Sequence, residues 1–112
     1  MHWHSYIKPR GKAISGSRSP FDQLSEIVDA VGDQIDVLMD SGIQRGTHVL
    51  KALSLGAKAV GGGRFYLYAL AAAGQEGVER ALELMKQEIE RDMRLMGVRS
   101  VKELSRENVR YR

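Results

Sequence analysis

Residues 40–64 read DSGIQRGTHVLKALSLGAKAVGGGR, two glycine-rich corners on either side of one helix-length segment. Each corner follows a short run of strand type. Residues 35–39 are mostly apolar, interrupted by Asp36, and lead into Asp40, Ser41 and Gly42. Residues 57–61 lead into Gly61, Gly62, Gly63 and Arg64. Between the corners, residues 47–55 carry Val49, Leu50 and Leu53 at helical spacing and are closed by Gly56. Two strands so far apart cannot form a hairpin. Joined through a helix, they are expected to run parallel in one sheet, with a right-handed crossover.

The flanks extend the same alternation. Residues 1–19 show no periodicity, hold Pro9, glycines and serines, and read as irregular loop. Ser19 is a cap candidate and Pro20 suits a first helical position. Phe21, Leu24, Ile27, Val28 and Val31 then share one face, and Gly32 is the stop. Toward the C-terminus, Val78, Leu82, Met85, Ile89, Met93 and Met96 step every three or four residues. Glu79, Glu83, Lys86, Glu90, Arg91 and Arg94 lie opposite, and Gly97 ends the helix over residues 77–96. The methionines on the apolar side are core filling, since Met adapts to irregular gaps. The element order of helix, strand, helix, strand, helix gives an α/β class.

Loops that follow parallel strands gather at one face of the sheet, so the two corners become neighbours. Small residues let backbone N–H groups approach an anion, the next helix adds its N-terminal dipole, and Arg64 adds a charged fork. In (β/α)8 barrels a phosphate site is built from the loops after strands 7 and 8, and the two corners are assigned to those strands. The competing reading is that the glycines serve only tight turns and close packing. The spacing together with Arg64 favours phosphate.

Other chemistries have less support. The chain has no cysteine, which removes disulfides, thiol nucleophiles and Cys-ligated zinc and fits a reducing cytoplasm. No metal-ligand cluster or catalytic constellation is read from the 112 residues. The net charge of +3 comes largely from Lys8, Arg10, Lys12 and Arg18 at one end and Arg99, Lys102, Arg106, Arg110 and Arg112 at the other. Without interleaved aromatics, that is scattered surface charge rather than a nucleic-acid platform. The longest apolar run, residues 67–73, is too short to span a bilayer, and residues 1–12 have no apolar signal segment.

The stretch from Asp40 through the tail RFYLYALAAAGQEGVERALELMKQEIERDMRLMGVRSVKEL closely resembles the C-terminal part of the FMN-dependent α-hydroxy-acid dehydrogenases and oxidases, over about residues 17–104. The corners, the connecting helix and the long last helix match in order and spacing. The resemblance implies the C-terminal part of a (β/α)8 TIM barrel, strands 7 and 8 with flanking helices. It implies that the FMN phosphate sits against Asp40, Ser41, Gly42, Ile43 and Gln44 from one corner and Gly63 and Arg64 from the other. The family often has arginine where this chain has Gln44, although Arg45 is adjacent. His48, at a position often acidic in the family, reads as a surface residue. Another phosphate-gripping barrel, such as type 2 isopentenyl-diphosphate isomerase or an inosine-monophosphate dehydrogenase, fits the corners but does not require this tail.

The resemblance also implies a segment SNHGGRQ upstream, whose histidine takes a proton from the substrate and whose arginine holds the substrate carboxylate. These residues do not contain it, and His2 and His4 lack an orienting partner. Yet residues 6–14, YIKPRGKAI, can be encoded TAT ATC AAA CCA CGG GGG AAG GCA ATT. Read one base later, those nucleotides give Ile-Ser-Asn-His-Gly-Gly-Arg-Gln. Residues 1–5 likewise yield Cys-Ile-Gly-Ile-Leu, suited to strand six. Residues 1–14 are therefore expected to be an out-of-frame translation, with the frame resuming near Ser15 to Ser17. Residues 105–112 read as a basic tail.

Two functions remain. The first is the C-terminal part of an FMN enzyme oxidising a 2-hydroxy acid of lactate or glycolate type, inactive alone for want of the His and Arg. The second is a non-catalytic phosphate-binding remnant. Which hydroxy acid is used, what accepts the flavin's electrons, and whether an intact parent is homo-oligomeric stay open.

Overall fold

The computed structural model describes residues 4–7 and 18–110. Three strands, β1 His4–Ile7, β2 Asp36–Asp40 and β3 Ala59–Gly61, form one parallel sheet in the order β1-β2-β3. Three helices, α1 Pro20–Val31, α2 Gly46–Ser54 and α3 Arg64–Met96, alternate with them, and two short 3-10 turns follow at Val101–Glu103 and Arg106–Asn108.

The β1 strand corrects an expectation. Within the stretch read as irregular, His4–Ile7 pairs with β2, His4 opposite Asp36 and Ile7 opposite Met39. Both edges of β2 are therefore paired. Four residues are too short to show a periodic pattern, so pairing with β2, and not local sequence, is what reveals the strand. The out-of-frame reading falls mainly on residues outside the described ones.

Elsewhere the local signals hold with small shifts. Ser19 caps α1, its hydroxyl accepting from the Asp22 amide at 3.2 Å, with Pro20 at the helix start. The first expected strand begins and ends one residue later, at Asp36–Asp40. The second is shorter than expected, at Ala59–Gly61. Ala57 packs in the core just before it, and the Lys58 amide already donates to Val37 O at 2.8 Å.

Along β2, Val37 and Met39 are fully buried while Asp36, Leu38 and Asp40 are half-buried. Val37 and Met39 share a cluster with Leu24 of α1, Ile43, Ala52 of α2, Leu55 and Ala57, and Met85 of α3 packs against its margin. Helices thus cover one face of the sheet, the face under which every second β2 side chain disappears. Asp36, Leu38 and Asp40 alternate with Val37 and Met39, and the corners follow the C-terminal ends of β2 and β3.

The last helix differs from its expected bounds. It starts at Arg64 and turns sharply at Ala73 and Gly74, where φ is −151° and +59°. Gly77 lies against the Ala69 carbonyl, which leaves no room for a side chain there. Gly97 closes the helix at φ 72°. The expected apolar face is only partly covered, with Val78, Met85, Ile89 and Met93 half-buried and Leu82 and Met96 exposed. Met96 is therefore not core filling.

Candidate functional site

Strand pairing brings the two corners together. Asp40 lies opposite Gly61 in the register of β2 and β3. A Cβ on Gly61 would come within 3.2 Å of Asp40 Oδ1, and one on Gly62 within 3.6 Å of Ile43 O. The corners therefore lie against each other, tightly at Gly61, where a side chain would displace Asp40 by a few tenths of an ångström, and at ordinary contact distance at Gly62.

The first corner holds two successive residues in the left-handed region, Ser41 at φ 88° and Gly42 at φ 77°. For a non-glycine residue that conformation costs about 1–2 kcal/mol. It is held in place because the Ser41 amide donates to Asp40 Oδ1 at 2.8 Å and because Ile43 is buried to 6% exposure. Backbone strain of this kind concentrates where a loop has a binding task.

Some corner amides are engaged and others are left over. The Ser41 amide is held by Asp40, the Gln44 amide donates to His48 Nδ1 at 3.1 Å, and the Gly46 amide donates to Glu88 Oε2 at 2.7 Å. The Tyr66 amide bonds the Gly63 carbonyl. Among the described residues, the amides of Gly42, Ile43, Gly63 and Arg64 have no such partner. No atom stands within 4 Å of where a Cβ on Gly42 or Gly63 would be, so the approach to both is open. The exposed Arg64 side chain makes no hydrogen bond or ion pair among the described residues. Free backbone N–H groups, a helix start and an exposed guanidinium are groups that can bind an anion.

Of the seven residues expected at the site, Gly42, Ile43, Gly63 and Arg64 keep backbone amides without a partner among the described residues. Asp40 and Ser41 shape the turn, and the Gln44 amide is already engaged. Arg45, the neighbour considered as a substitute positive charge, points elsewhere. Its Nε donates to Glu88 Oε1 at 2.9 Å and Oε2 at 3.1 Å. The guanidinium first, and the Gly46 amide second, hold the Glu88 carboxyl below the ordinary carboxylate value. His48, expected at the surface, is half-buried and sits edge-on to Phe21 of α1, with ring centroids 6.3 Å apart. No spacing rule signals that contact.

A second concavity of about 280 Å³ lies away from the corners, lined by α2, the end of α3 and the Arg106–Asn108 turn. In its lining, Ser54 Oγ and Asp92 Oδ2 are buried without a hydrogen-bond partner among the described residues. No three His, Cys, Asp or Glu side chains among the described residues cluster as metal ligands, and no described helix is long and apolar enough to cross a membrane.

Residues 10–111 match the family model described as FMN-dependent dehydrogenase. The L-lactate dehydrogenase (cytochrome) of Saccharomyces cerevisiae is 46% identical over 99 residues, covering 84% of this chain and 17% of that protein. The 2-hydroxyacid oxidase 1 of Homo sapiens is 42% identical over 99 residues, covering 88% and 27%. Among solved structures, a flavocytochrome b2 variant with sulfite bound superposes with a TM-score of 0.82 at 44% identity, over 91% of this chain and 28% of that one. A variant of an active chimera of (S)-mandelate dehydrogenase gives 0.84 at 37% identity, over 93% and 29%. The chain thus spans less than a third of the length of these proteins. Its three strands are an open part of the TIM barrel of these flavoenzymes.

Proposed function

The chain belongs to the FMN-dependent dehydrogenase family, and from that premise we propose that it supplies the corners holding the FMN phosphate in an enzyme that oxidises a 2-hydroxy acid to a 2-oxo acid. One observation carries the reading. Where the two corners meet across the Asp40–Gly61 pairing, the amides of Gly42, Ile43, Gly63 and Arg64 and the Arg64 guanidinium have no partner among the described residues.

The residues present fit a phosphate monoester. Gly42 and Gly63 leave the backbone uncovered, and Arg64 offers paired N–H donors to a dianion. FMN, when bound, accepts the hydride that leaves the hydroxy acid. The work of these residues is to hold the phosphate and so fix one end of the cofactor. The glycine pair sets the approach distance, the start of α3 contributes its dipole, and Arg64 neutralises charge.

Proton abstraction and the carboxylate clamp need a histidine and an arginine that these residues do not contain. General acid–base catalysis typically contributes about 10²–10⁴-fold, so the chain alone is proposed to be inactive. The out-of-frame reading would place both groups just before α1, after a strand paired with β2, and β1 occupies that position in the sheet. The absence of the pair from these residues favours, as a second reading, a phosphate-binding remnant without catalysis. A reducing cytoplasm is the proposed setting, on the lack of cysteine.

Titration with inorganic phosphate, followed by NMR, tests the corner. Shifts are expected at Gly42, Ile43, Gly63 and Arg64, and Arg64→Ala is expected to weaken binding about tenfold, as loss of a charge-assisted hydrogen bond does. Unchanged binding in that variant would remove Arg64 from the site.

A further inference from the structure

Helix α2 begins in an unusual way. Its N-cap, Arg45, provides no side-chain capping bond, and the first helical amide, Gly46, is capped from a different helix by Glu88. The third helical residue is His48. At this position a Glu or Gln often reaches back to a preceding backbone amide. His48 does the same work with a ring nitrogen, its Nδ1 accepting the Gln44 N–H at 3.1 Å. Such a bond requires an unprotonated Nδ1, with the ring proton on Nε2. Phe21, edge-on at 6.3 Å and 67°, packs against the imidazole.

The pinned amide stands next to the free ones. Ile43 is anchored on one side by its buried side chain, and Gln44 on the other by His48. The unpartnered amides of Gly42 and Ile43 therefore belong to a short segment tied down at its far end. We propose that His48 is a positioning residue for the phosphate corner, acting through the Gln44 backbone to hold those amides in place for an anion. The inference rests on the phosphate reading of the corner and adds a residue that contacts no ligand.

The charged groups on the surrounding elements are few. Arg45 and Lys51 lie on the same segment as His48, Glu88 on α3 is paired with Arg45, and Asp22 follows Phe21 on α1. None of them has a hydrogen bond or ion pair with the imidazole.

The test uses the 112-residue chain and sulfate at pH 8. In His48→Asn the side-chain oxygen takes the place of Nδ1. In His48→Ala the acceptor is gone. NMR titration is expected to give the unaltered chain and His48→Asn the same sulfate affinity, with His48→Ala weaker by about three- to tenfold, as loss of one hydrogen bond implies. Hydrogen exchange at the Gln44 amide is expected to be equally slow in the unaltered chain and His48→Asn, and faster in His48→Ala.

If the unaltered chain binds sulfate and His48→Ala matches it at pH 8, His48 is a helix cap only and the proposal is wrong. Should His48→Ala fail to fold, His48→Phe, which keeps a ring against Phe21 and lacks the acceptor, overturns it equally if its sulfate affinity matches that of the unaltered chain. Absence of sulfate shifts at Gly42, Ile43 and Gly63 in the unaltered chain would instead overturn the phosphate corner itself, and this role with it.

Discussion

The Glu88 carboxylate of α3 accepts the Gly46 N–H of α2 at 2.7 Å while gripping the Arg45 guanidinium at 2.9 Å, so one side chain joins the start of one helix to the middle of another. This contact spans 42 residues and sets how α3 lies across the loop that follows the first corner. Losing it leaves a helix-terminal amide without its acceptor. Glu88→Ala is expected to cost about 1–2 kcal/mol in urea unfolding at pH 7, the range for loss of a helix cap. The pH dependence follows from the direction of the shift. A carboxyl held below its ordinary value stabilises the fold above about pH 4.3, the unfolded value, and that contribution fades as pH falls through the lower folded value. The difference between the two chains should therefore shrink with acidification through that window.

Two glycines with opposite surroundings separate packing from binding. A Cβ on Gly46 would lie 2.6 Å from Glu88 Cβ and 2.7 Å from the Ile89 amide nitrogen, so neither neighbour can yield without moving α3. Gly46→Ala is expected to destabilise by about 1–3 kcal/mol, the cost of overpacking. Around Gly63 the space is empty and φ is −88°. Gly63→Ala should leave the midpoint of thermal unfolding nearly unchanged and weaken phosphate binding.

Ser54 offers a stabilising change. Its hydroxyl oxygen is buried without a partner, a state that costs about 1–3 kcal/mol. Ser54→Ala removes that oxygen and leaves little space behind. An increase in unfolding free energy of about 1 kcal/mol is expected from urea titration.

How legible each part was depended on whether it was local. Ser19 and Pro20 announced α1, Gly97 closed α3, and the strand-to-corner order placed Asp40 and Gly61 as neighbours, because caps, turns and crossovers are encoded over a few residues. β1 was missed because its evidence is a partner some thirty residues away in sequence. The roles of Arg45 and His48 were also missed. Arg45 is decided by Glu88, 43 residues away, and the burial of His48 by the Phe21 ring; the Gln44 amide is local to His48, but the local rule is written for Glu or Gln and not for an imidazole. Asp92 carried no sequence signal, since acids are rarely buried, yet it is 8% exposed.

The reading frame of residues 1–14 can be settled on the gene. The nucleotides of this segment, read one base later, are expected to encode Ile-Ser-Asn-His-Gly-Gly-Arg-Gln, and further upstream the remaining barrel strands. A full-length chain in the restored frame should be yellow and oxidise a 2-hydroxy acid, while the 112-residue chain should be colourless and inactive. Substrate-dependent bleaching of FMN by the short chain, above a free-flavin control, would show that its catalytic groups lie within it.

The most direct measurement compares FMN with riboflavin, which carries the same ring and lacks the phosphate, by NMR titration of the 112-residue chain. FMN is expected to shift the amides of Gly42, Ile43, Gly63 and Arg64, with low affinity because the open site stays wet and screened, while riboflavin at equal concentration leaves them in place. Equal shifts from both compounds, or FMN shifts confined to residues away from the two corners, would contradict the phosphate-holding role.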